Sequence, residues 1–142
     1  MSTAAKKTTD NHDVEDACGC PLIPAEVRRA FRQAEPYRTG EERLWRLVAA
    51  RIVLDTVGVT GFGPIESKRH IDAVVEAQKW WHHEWDYARE VFDRANVCID
   101  GIRELMSEFY MDEHNRVVRF SFQSKAVRNE VHQAERSSPG TC

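Results

Sequence analysis

The stretch IDAVVEAQKWWHHEWDYAREVFDRANVCIDGIREL, residues 71–105, constrains the fold more than any other part of the chain. Ile71, Val74, Val75, Gln78, Trp81 and Trp85 recur at three- and four-residue steps, the period that stacks side chains on one face of an α-helix. Trp80, Trp81 and Trp85 carry too much apolar surface to leave in water, so this face must close against other elements. The spacing predicts a helix from about Ile65 to Trp85, followed by a short helix with Tyr87, Val91 and Phe92 inward. A turn at Ala95-Asn96-Val97 and a second short helix, with Val97, Ile99, Ile102 and Leu105 inward, would complete the unit. Ala95 is small enough for close helix approach, and Asn is second only to Gly where a helix ends in a left-handed residue. Helix, short turn, helix is a shape used both to read DNA and merely to pack.

The flanking sequence supplies the partners for that face. Pro24 suits the first position of a helix PAEVRRAFRQAE, with Val27, Ala30, Phe31 and Ala34 on one side and Pro36 as its stop. Thr39 and Glu42 have capping-box spacing ahead of EERLWRLVAARIVLDTVG. In that helix Leu44, Leu47, Val48, Arg51, Ile52 and Asp55 step along one side, widened by Trp45, Ala49 and Val53. GVTGFGP, 58–64, is a loop. After the unit, EFYM, a polar turn at 112–115 and the alternating RVVRFSF read as a short β-hairpin, a wing. The competing reading is a strand covering the core, followed by a surface helix SKAVRNEVHQAE. The expected fold is therefore mainly α: one compact helical domain over 21–135, with a helix-turn-helix-like unit at 86–108 and a hairpin after it. Residues 1–20 and 136–142 read as disordered tails, being poor in large apolar side chains.

Composition removes several functions. No apolar run in the 142 residues approaches the roughly 18–20 that cross a bilayer, and the N-terminus has no apolar signal segment. A cytoplasmic protein without membrane contact is the default expectation. Cys18, Cys20, Cys98 and Cys142 match neither a disulfide framework nor a structural zinc site, so free thiols are expected. His82 and His83 are neighbours and point about 100° apart on a helix, so no metal is expected there. A phosphate loop and a nucleophile elbow are missing, and His83-Glu84 fails as H-E-x-x-H because position 87 is Tyr87. No catalytic residue and no cofactor are expected.

Charge is unevenly spread. The net charge is -3, yet 24–57 holds seven Arg against five acids, 86–113 three Arg against eight acids, and 114–142 five Lys or Arg against two acids. A whole-chain polyanion binder is excluded; local basic and acidic faces are not.

The segments LWRLVAARIVLD, EAQKWW and DYAREVFDRANVCIDGIREL resemble a family of small phage- and prophage-borne proteins. Its pattern runs LW-x-x-V, then A-x-x-W, then V-C-x-x-A-G-L-D-P-x-x-V-R. The resemblance covers 44–105. Phe92 stands at the family's Cys, Asn96 at its Gly, and Cys98-Ile99 where the family's Asp-Pro would begin the second helix. Ile102-Arg103 keeps its Val-Arg. The resemblance implies a helix-turn-helix transcriptional regulator that binds DNA or the transcription machinery.

On that shape the outward residues of the second helix would be Cys98, Asp100, Gly101, Arg103, Glu104 and Ser107, and Arg103 is the natural phosphate or base contact. Asp100 and Glu104 oppose phosphate. Arg116, Arg119, Lys125 and Arg128 would add phosphate contacts beside the groove. The alternative is a protein-interaction module without nucleic acid contact, with a host protein such as RNA polymerase, or a second copy in a homodimer, meeting the basic 24–57 and acidic 86–113 faces.

Overall fold

A computed structural model describes residues 12–34 and 36–120. Within them lie helices α1 (His12–Gly19), α2 (Ala25–Gln33), α3 (Gly40–Thr56), α4 (Lys68–His82), α5 (Trp85–Arg94) and α6 (Ile102–Met106). An antiparallel pair comes next, β1 (Phe109–Met111) and β2 (Val117–Arg119), in the register Phe109↔Arg119, Tyr110↔Val118 and Met111↔Val117. The mainly helical fold with a short hairpin is the one expected. The expected surface helix after 123, with Lys125, Arg128 and the C-terminal tail, lies outside the described residues.

The central element is α3, which packs against α1, α4 and α5. Its start obeys the capping logic: Thr39 Oγ1 accepts from Glu42 N at 3.0 Å, while the Glu42 carboxylate accepts from Arg38 N at 2.7 Å. Its end is a Schellman turn, with Gly58 N donating to Asp55 O and Val59 N to Leu54 O. Gly58 has φ +90°, and a Cβ there would sit 3.0 Å from Val117 Cγ2, so both the turn and the approach of β2 require glycine.

The buried face of α3 differs from the expected one. Leu44 is 59% exposed, whereas Glu42 and Arg46 are buried with Ala49, Ala50, Val53 and Leu54. Arg46 goes inward because it finds partners there. Its Nε donates to Ala95 O at 3.0 Å, its Nη2 to Glu42 Oε1 at 3.2 Å, and its guanidinium lies 4.6 Å from the Tyr37 ring centroid. Ala95 closes α5, so a cation on its carbonyl also meets the negative end of that helix.

The tryptophan face closes as expected, with altered boundaries. Ser67 caps α4, its Oγ accepting from His70 N, and α4 stops at His82; Trp85 begins α5 instead. Trp81 is fully buried, its ring 5.4 Å from Phe92 and 5.7 Å from Trp85, and Phe92 meets Phe31 of α2 edge-on at 6.2 Å. A buried indole N–H needs an acceptor. Trp81 Nε1 donates to Thr56 Oγ1 at 2.9 Å, and Gln78 Nε2 to Thr56 O at 3.2 Å, which ties α4 to the end of α3.

Two further expectations are corrected. Residues 12–19 form a helix rather than part of a disordered tail. Ala17 enters the core, Val14 and Cys18 pack on it, and Arg51 of α3 binds Asp13 at 3.1 Å. A stripe of three small or medium apolar residues is enough once α3 and α2 supply the opposing wall. Of the cysteines, Cys18 and Cys20 are free as expected, but Cys98 is disulfide-bonded.

Candidate functional site

The turn at the centre of the unit forms as its residues predict, but the second helix does not begin where the sequence places it. Asn96 has φ 57°; Asn96 N donates to Asp93 O at 3.1 Å and Val97 N to Phe92 O at 3.1 Å, the two bonds of a Schellman motif. The chain then stays non-helical through Gly101, at φ 85°, and α6 is only Ile102–Met106. Val97 and Ile99 are buried from this connection rather than from a helix. Cys98 is a poor helix cap, so α6 starts later, at a left-handed glycine. With one and a half turns, α6 is short for a helix laid along a groove.

Arg103, on α6, is exposed and lies over Trp85, 5.0 Å from the ring centroid. Exposed Asp100 and half-buried Leu105 bracket the turn it stands on, with Glu104 beside it, and Asp100 pairs with Arg89 at 3.4 Å. Arg116 begins the return of the hairpin, where Asp112 organises the turn. Asp112 Oδ1 accepts from Arg116 N at 2.8 Å and from His114 N at 2.9 Å, and its Oδ2 accepts from Arg116 Nε at 3.3 Å. These bonds, the one from Arg116 N foremost, hold the Asp112 carboxyl below its ordinary pKa. Arg119, on β2, donates to the buried carboxylate of Glu108 at 2.8 Å and lies above the Phe109 ring. Arg116 and Arg119 are thus already engaged by carboxylates, and Arg103 stands apart from both on another element. Lys125 and Arg128 lie outside the described residues.

A different concave surface is formed where α2 faces the connection after α5. It is an open groove of about 750 Å³. One wall is the outer side of α2, with Glu26, Arg29, Ala30 and Gln33; the other is Asp93, Asn96, Val97, Cys98 and Ile102, with Arg38 at one end. Buried Val97 and Ile102 give it an apolar floor. Its rim is charged, and Arg29, Arg38, Glu26 and Asp93 form no ion pair among the described residues. A smaller hollow of about 290 Å³ continues it past Arg38, Asp93 and Asn96 to Trp45 and Arg94. Arg94 there is committed, pairing with Glu90 at 3.1 Å and stacking over Trp45 at 5.3 Å.

The groove is only half legible in the chain. The basic balance of 24–57 points to α2, and Val27 with Phe31 on its buried side puts Glu26, Arg29 and Gln33 outward. Nothing local to 93–102 marks it as the other wall, because that depends on the non-helical path after Asn96. Among the described residues no three His, Cys, Asp or Glu side chains are grouped to hold a metal ion, and no helix is long and apolar enough to cross a membrane. No protein-family model, curated protein or solved structure matches the chain.

Proposed function

We propose that this chain is a protein-interaction module, and that its contact surface is the groove between α2 and the 95–101 connection. The observation that carries this reading is the combination of an apolar floor, at Val97 and Ile102, with a rim of four charges, Arg29 and Arg38 against Glu26 and Asp93, unpaired among the described residues. Apolar contact at the centre with charges at the edge is the usual anatomy of a protein interface, where the rim sets specificity and approach rate. A groove of this size suits a short segment of a partner chain rather than a small molecule, since it is open along its length. The partner class that fits the sequence resemblance is a host protein such as a subunit of the transcription machinery.

The nucleic-acid reading rests on Arg103, Arg116 and Arg119. Phosphate binding draws its affinity from cations that release counterions, and a cation already on a carboxylate has less to offer. Arg116 on Asp112 and Arg119 on Glu108 are in that condition, while Asp100 and Glu104 add negative charge beside Arg103. These contacts favour the protein reading.

The two readings separate in one experiment. Tagged protein is used to capture partners from nuclease-treated bacterial lysate, alongside Arg29→Glu/Arg38→Glu and Arg103→Ala/Arg116→Ala variants. A specific protein partner retained by the chain and the second variant, and lost from the first, is the expected result. A gel shift on random DNA that weakens steeply with salt and disappears in the Arg103→Ala/Arg116→Ala variant would reverse the choice.

A further inference from the structure

The end of α1 carries a second chemical feature, the pair Cys18-Gly19-Cys20, both free thiols. On a continuing helix, residues two apart point to nearly opposite sides. Here the helix stops at Gly19 and the chain turns, so Cys18 and Cys20 both pack, half-buried, against the same core cluster. The turn is braced from the side of α2. Arg32 Nη2 donates to Cys18 O at 2.8 Å, Ile23 N donates to Cys20 O at 3.2 Å, and Arg28 Nε donates to Ile23 O at 3.0 Å. Gly19 between them is exposed and meets nothing within 4 Å of where a Cβ would stand. Two residues of chain separate their Cα atoms by at most about 7 Å. Disulfide-linked pairs span about 4.4–6.8 Å.

We propose that Cys18 and Cys20 are a reversible dithiol–disulfide couple, a modification site that exchanges with low-molecular-weight disulfides. The Cys20 thiolate attacks one sulfur of the small disulfide, forms a mixed disulfide and releases one thiolate. The Cys18 sulfur, giving up its proton, then attacks the Cys20 sulfur and expels the second thiolate. Two protein S–H bonds become one S–S bond, and the small disulfide is reduced by two electrons to two thiols. Cys18 takes the second step because burial pushes its thiol above the ordinary value, an effect larger than the opposing pull of Arg32. A second thiol two residues away acts at high effective concentration, so the mixed disulfide does not accumulate.

The test uses the full chain, equilibrated across a series of reduced and oxidised glutathione ratios, acid-quenched, alkylated and digested with trypsin. Residues 8–28 form one tryptic peptide holding Cys18 and Cys20 and no other cysteine. The expected species is that peptide about 2 Da lighter than its reduced form and unalkylated, restored by excess thiol. Single glutathione adducts on it should stay below about a tenth of the total, and Cys18→Ser should accumulate the adduct on Cys20. Adducts on both cysteines, cross-links from this peptide to one containing Cys98 or Cys142, or full alkylation across the series would each overturn the proposal.

Discussion

Asp55 supplies a sharp test of how α1 is held to the rest of the domain. Its carboxylate accepts from Arg51 Nε at 3.0 Å, and the same guanidinium reaches Asp13 Oδ1 on α1 at 3.1 Å and the carbonyl of Val59. An ion pair ordinarily lowers a carboxyl pKa, but here burial outweighs it, with Asp13 adding repulsion, and the Asp55 pKa is raised from 3.8 to about 6. The native state therefore binds the proton more tightly than the unfolded chain between these two values. The resulting stability is fully present below about pH 3.8 and is lost as pH rises through about 6. About two pH units at roughly 1.4 kcal/mol each give an upper bound near 3 kcal/mol. Partial solvent screening reduces it to about 1–2 kcal/mol. Asp55→Asn removes the charge and keeps the shape, so urea unfolding at pH 7.5 should find the variant about 1–2 kcal/mol more stable than the parent. At about pH 3, below both values, the two curves should nearly coincide. A difference that does not change with pH, or an Asp55→Asn variant that is less stable at pH 7.5, would refute the assignment of burial as the larger effect.

The turn at Asn96 and the hairpin can be probed in the same way. Asn96→Gly should leave stability nearly unchanged, whereas Asn96→Val, a β-branched residue at φ 57°, should lower it by about 1–2 kcal/mol in the same urea assay. Arg119→Ala should cost about 2–3 kcal/mol in thermal or urea unfolding, because Glu108 is buried and loses its charged partner. Arg116→Ala, at the exposed end of the same hairpin, should cost less than about 1 kcal/mol, as exposed ion pairs generally do.

The parts of this fold legible in the chain are those governed by local rules. The cap at Thr39, the left-handed Asn96, the tryptophan face of α4 and the alternation of the hairpin each depend on a few neighbouring residues. Misplaced features depended on distant partners. Arg46 is no part of the stripe expected from periodicity, yet Ala95 O, Glu42 and Tyr37 converge on it, while Leu44, expected inside, is exposed. Residues 12–19 read as a tail until Asp13 meets Arg51 and Ala17 meets the core. The break at His83-Glu84 and the late start of α6 have the same character: periodicity continues through them, while the backbone does not.

The candidate site shows the limit more clearly. Arg103, Arg116 and Arg119 are legible as cations, but the carboxylates on Arg116 and Arg119 come from the hairpin turn and from Glu108, whose burial is a property of the packed domain. Sequence proximity of Asp112 to Arg116 hints at one of these pairs. The groove needs α2 and the connection after Asn96 to face each other, although they are distant in the chain, and only the packed structure brings them together.

The most direct test of the groove is site-specific photo-crosslinking in bacterial cells from two positions, Gln33 on the groove wall and Tyr110 on the exposed side of the hairpin. A contact surface at the groove predicts a discrete protein adduct from Gln33 that survives nuclease and is abolished by Arg29→Glu/Arg38→Glu, with none from Tyr110. Adducts to nucleic acid from Tyr110, with Gln33 silent, would contradict it.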